Sequence, residues 1–128
     1  MKYERTAYAD GGLASEAKDC SIRAVSVAAC IDYSEAYRLF AVAGRKPKKS
    51  TQLHITSAVL GQLFPGVSYH TTFWGWEKNL NLARFIREHS TGHYVVHVSQ
   101  HLIAICDGVV HDWNPKQYRR VFGYWQLC

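Results

Sequence analysis

The sequence predicts an α+β domain, and three observations lead there. The first half reads at helical spacing. The second half breaks into short β-rich runs separated by turn residues. The dipeptide Asp107-Gly108 joins two of those runs with the chemistry of a tight hairpin. At 128 residues, 48% hydrophobic and 20% charged, the chain is long enough to fold as one domain, 1–128, without disulfide staples.

Taken in order, residues 1–18 hold Gly11-Gly12 and little periodicity, and read as an irregular arm. Residues 21–31 are apolar on nearly every side, with Arg23 the only charge, which is the pattern of a buried helix. Asp32-Tyr33-Ser34 supplies a break and an N-cap for a second helix over 35–43, which stops at Gly44. Arg45-Lys46-Pro47-Lys48-Lys49 reads as a solvated basic loop, and Ser50-Thr51 caps a third helix running to about Phe64. Residues 67–73 alternate like a strand. Residues 76–89 look helical through Leu80, Leu82, Phe85 and Ile86. After Gly92, residues 93–98, 101–106, 109–113 and 120–127 read as four closely spaced strands.

Composition narrows the function classes. No apolar stretch is long enough to span a membrane, and the first twelve residues lack a signal peptide's apolar core, so the expected place is the cytoplasm, with no membrane partner. Four cysteines in that setting are expected as free thiols. No C-x-x-C occurs, which excludes zinc-ribbon and thioredoxin motifs. The net charge of +5 permits an acidic partner; nucleic-acid contact through the Arg45–Lys49 loop is the alternative to plain solvation.

A type I′ turn at Asp107-Gly108 sets a register in which His101 faces Asn114 and Ile103 faces Asp112. His101, Asp112 and Asn114 then share one sheet face. A second tight turn at Ser99-Gln100 adds Tyr94, Val96 and Val98 to that face, and leaves His93, His97, Cys106 and His111 on the other. A three-residue turn at 107 would slip the register by one and separate Asp112 from His101.

Cys20 opens the buried helix. A helix N-terminus favours a thiolate there, because its unsatisfied N–H groups and dipole stabilise negative charge. Cys20 as nucleophile, His101 as base and Asp112 as orienting acid, with Asn114 as the alternative orienter, make a thiol-enzyme set. It requires no metal and no cofactor. Cys30, late in the same helix, reads as core packing. His93, His97, His111 and Cys106 invite a metal reading, but the ligands would be spread over three strands with no loop to converge them. The four tryptophans read as core, with some available to line a groove.

With these residues in view, the chain resembles a compact papain-like cysteine peptidase. It is most similar to the small bacteriophage-encoded ones and more distantly to bacteriocin-leader peptidases. The motifs that carry the resemblance are Lys18-Asp19-Cys20-Ser21-Ile22-Arg23-Ala24, the 92–98 stretch from Gly92 to Val98, and the 100–112 stretch from Gln100 to Asp112. The resemblance implies a central helix bearing the cysteine packed on an antiparallel sheet bearing the histidine. It also implies Cys20, His101 and Asp112 as the triad. The papain pattern places a glutamine shortly before the cysteine for the oxyanion hole. Ala17, Lys18 and Asp19 include none, so the hole uses the Cys20 backbone N–H with another donor, for instance Gln100.

Two functions follow as expectations. One is a thiol hydrolase acting on an amide or isopeptide bond of a peptide or protein substrate. The other is a phage-type binding module that keeps the scaffold and contacts a host or virion protein. If phage-encoded, the protein would act in the host bacterial cytoplasm.

Overall fold

Asp107 and Gly108 take φ of 50° and 80°, the double positive φ that a type I′ turn demands. The turn sets the pairing of β4 (His101–Cys106) with β5 (Val109–His111): Cys106 faces Val109, Ile105 faces Val110 and Ala104 faces His111. β3 (His93–Val98) pairs antiparallel with β4 from His93↔Cys106 to Val98↔His101. The expected register therefore holds through every described pair. This structure, a computed structural model, describes residues 2–4, 19–46, 52–72, 80–99, 101–111 and 120–128.

β6 (Val121–Gln126) lies antiparallel on the other side of β3, and β2 (Tyr69–Thr71) lies antiparallel beyond it. The opposite edge is β1 (Lys2–Glu4), parallel to β5. The order β1-β5-β4-β3-β6-β2 gives a six-stranded sheet, antiparallel except at that edge. Residues 2–4 therefore form a strand where the sequence reading has an irregular arm. Three residues carry no period of their own; the exposed edge of β5 is what makes them a strand.

Four helices complete the domain: α1 (Cys20–Ala29), α2 (Tyr33–Val42), α3 (Leu53–Leu63) and α4 (Leu82–Glu88). Asp32, not Ser34, is the N-cap residue of α2, with extended backbone at φ −63° and ψ 148°. α4 starts later than residue 76 because Asn81 caps it, its side-chain oxygen accepting the Arg84 N–H at 2.8 Å. Residues 73–79 lie outside the described residues. The strand expected over 67–73 is shorter because Val67 N–H is still held to Phe64 O at 3.0 Å in the turn around Gly66.

Both faces of the sheet are covered. On one, Val95, Leu102, Ala104 and Trp125 pack with Ile22 and Val25 of α1, Leu39 and Phe40 of α2, and Val59 and Leu60 of α3. Trp125 also donates its indole N–H to Ser57 Oγ of α3 at 3.0 Å. On the other, Tyr94, Val96, Val98, Ile103, Ile105 and Val110 pack with Leu80, Leu82 and Phe85. Burial on two sides explains why β4 has four buried residues in a row rather than an alternation.

Two further sequence expectations are corrected. Cys30 is not in the core. α1 ends at Ala29, and Cys30 is exposed with φ 58°, closing the helix by letting Ile31 N–H reach Ser26 O at 3.1 Å. A glycine normally takes that left-handed position. Arg45 is not solvated: it is 6% exposed, with its guanidinium 5.6 Å from the Tyr37 ring centroid.

Candidate active site

The first turn of α1 is tied down from beneath. The Asp19 carboxylate is fully buried and accepts Arg23 Nε–H at 3.0 and 3.1 Å, and the Tyr33 hydroxyl at 2.7 Å. Asp19 therefore makes no side-chain cap to the helix; its main-chain oxygen receives Arg23 N–H at 3.0 Å instead. The acid–base spacing of four residues is legible in the sequence as a helix-face pair. The Tyr33 contact, made by the first residue of α2, is not.

Cys20 stands on this anchored turn as the first residue of α1, half-exposed and packed against the helix-side core. At the far end of the helix, His93 Nδ1–H donates to Ala28 O at 2.8 Å. α1 rises about 1.5 Å per residue, so Cys20 lies about 12 Å from Ala28 along the helix axis. β4 runs from His101 to Cys106 beside His93, so the end of the sheet that α1 starts from is the one where β4 begins. Cys20 and His101 thus belong to the same end of the domain.

Strand alternation adds what the sequence reading did not decide. Leu102 and Ala104 point to α1, so His101 stands on the opposite face, with Ile103 and Ile105. His101 is the first residue of its strand, and the route from it to Cys20 passes around the end of the sheet. Asp112, Asn114 and Gln100 lie outside the described residues.

The face that carries α1 holds the histidines set aside in the sequence reading. His97, half-buried and opposite Leu102, has Nδ1 at 2.9 Å from the Tyr69 hydroxyl, with one hydrogen shared between them. Burial lowers the pKa of His97 and raises that of Tyr69, so both are neutral near pH 7. Cys106, on the same face, has its thiol pushed up to about 12 by burial, with Cys30 and Asp107 adding to the effect. That is the setting of an inert thiol.

Tyr69 reaches His97 because Gly123 leaves it room. A Cβ at Gly123 would overlap the Tyr69 ring. Glycine within a strand here marks a close approach, with the tyrosine ring lying where a side chain would stand. Gly123→Ala is expected to displace Tyr69 and cost about 1–3 kcal/mol. Urea unfolding checks the cost, and the His97 ring resonances in NMR report whether the Tyr69 contact is lost.

Comparison with known proteins finds no matching family model, no matching curated protein and no matching solved structure.

Proposed function

We propose that this chain is a thiol hydrolase of papain-like architecture, cleaving an amide or isopeptide bond in a peptide or protein. The observation that supports the reading is Cys20: a half-exposed thiol on the first residue of a helix laid on a mainly antiparallel sheet, at the end where His101 begins a central strand. In the proposed reaction the imidazole of His101 takes the thiol proton as Cys20 Sγ bonds to the acyl carbon. The carbonyl oxygen becomes an oxyanion facing the Cys20 N–H. Its collapse breaks the C–N bond, and the imidazolium gives its proton to the leaving amine. Water then attacks the thioester, releasing the acid and restoring the thiol. Asp112 orients the imidazole in this scheme.

His97 gives a second reading of the base, favoured by its place on the face that bears α1 and by the Tyr69 hydroxyl fixed on its Nδ1. Rate of labelling by a peptidyl vinyl sulfone, mapped by mass spectrometry, separates the two. His101→Ala is expected to slow modification of Cys20 by about 10²-fold or more, the scale of general-base assistance, while His97→Ala leaves the rate within a few-fold. The reverse pattern moves the base to His97. Wild-type labelling no faster than that of the urea-unfolded chain removes the hydrolase reading and leaves the binding module.

A further inference from the structure

We infer that Cys30 and Cys106 are a redox pair, which hydrogen peroxide joins in a disulfide that fastens the C-terminal end of α1 to β4. This stands independently of the Cys20 chemistry. The other three cysteines gather at one corner of the domain, around His93. His93 lies directly opposite Cys106 in the β3–β4 ladder. Its ring donates through Nδ1 to Ala28 O at 2.8 Å, which holds the end of α1, with Cys30 two residues further on, over that corner. Its main-chain N–H reaches Cys128 O at 3.4 Å on the β6 side.

The fold selects Cys30 as the partner of Cys106. α1 lies chiefly over β4, and Cys106 faces it along with Leu102 and Ala104. The two thiols sense one another: after burial, Cys30 is the largest influence raising the Cys106 pKa. Cys128 is on the far side of β3, two strand spacings or about 10 Å from Cys106, beyond the about 7 Å between Cα atoms that a disulfide spans. Cys20 is at the opposite end of α1. Cys30 also holds, at φ 58°, a backbone position that glycine fills without strain, and it is exposed there while Cys106 is half-buried. Solvent oxidant therefore meets Cys30 first. Its Sγ takes one oxygen from hydrogen peroxide, becoming a sulfenic acid as water leaves. Cys106 Sγ then bonds to Cys30 Sγ, and the hydroxyl departs with the Cys106 proton as a second water. A thiol whose pKa is pushed up to about 12 consumes no oxidant itself; it reacts when a sulfenic acid forms beside it.

The test uses the full chain with Cys20→Ser, so that the outcome does not depend on catalysis or on oxidation of that thiol. The dilute folded protein is treated with a small molar excess of hydrogen peroxide, then digested and mapped by mass spectrometry without reduction. The expected result is a loss of two hydrogen atoms and a cross-linked peptide pair joining Cys30 to Cys106, reversed by dithiothreitol. The melting temperature should rise by about 5 °C or more on oxidation, because the bridge closes a long loop, and fall back on reduction. Cys30→Ser should abolish both the cross-link and the rise. Cys106→Ala should leave a sulfenic acid on Cys30 that dimedone traps. Three outcomes overturn the inference: oxidation of Cys30 that proceeds to sulfinic acid with Cys106 still free, a cross-link from Cys30 to Cys128 or to a second copy of the chain in place of Cys106, or a Cys30–Cys106 bond that appears only in urea.

Discussion

Cys20→Ser is expected to reduce turnover of any substrate by about 10³-fold or more while shifting stability by less than about 1 kcal/mol. A serine hydroxyl is a much weaker nucleophile than a thiol that an imidazole can deprotonate. The side chain at this position is half-exposed and nearly the same size in both residues, so packing changes little. Single-turnover assays and thermal melts on the same preparation measure the two effects. A variant that unfolds, or one that retains full activity, would remove Cys20 from the centre of the mechanism.

Asp19→Ala is expected to cost about 3–5 kcal/mol, a large part of what a domain of this size has. The substitution leaves Arg23, 4% exposed, without its carboxylate, and takes the acceptor from the Tyr33 hydroxyl. The loss falls on the first turn of α1, so Cys20 loses its support together with the fold. Tyr33→Phe removes one charge-assisted hydrogen bond and should cost about 1.5–3 kcal/mol. Asp19→Ala combined with Arg23→Leu should recover part of the loss, because the buried guanidinium that faced the Asp19 carboxylate goes with it. Urea unfolding followed by tryptophan fluorescence measures all of these. A cost under about 1 kcal/mol for Asp19→Ala would show that the buried pair contributes little beyond a surface bridge.

The part of the domain that was legible in the sequence is the part governed by neighbours. Asp107-Gly108 specifies its own turn, because few dipeptides take positive φ twice, and the turn then dictates the partners of β4 and β5. The apolar run after Cys20 announces a buried helix, and Gly44 announces the end of α2. Where local signals are ambiguous the reading drifted. Ser34 and Asp32 are both good caps by residue type, and in the structure α2 opens at Tyr33, whose hydroxyl is bonded to Asp19. Cys30 looks like core by residue type, yet helix termination turned it outward.

By itself, then, the sequence determined an α+β domain, the hairpin register, and the division of the β3–β4 side chains into two sets: His101 with Val96 and Val98, His93 with His97 and Cys106. Which set meets α1 was decided only in three dimensions. Both faces of these strands are apolar enough to be buried, so periodicity marks two equivalent sides and says nothing about which one a helix will cover. Packing of Ile22 and Val25 on Val95, Leu102 and Ala104 settled it, placing His97 and Tyr69 on the helix side and His101 at the strand end beyond. The same is true of Asp19 and Arg45. Their charges are plain in the sequence, but their burial depends on Tyr33 and Tyr37 of α2, contacts that no local pattern encodes.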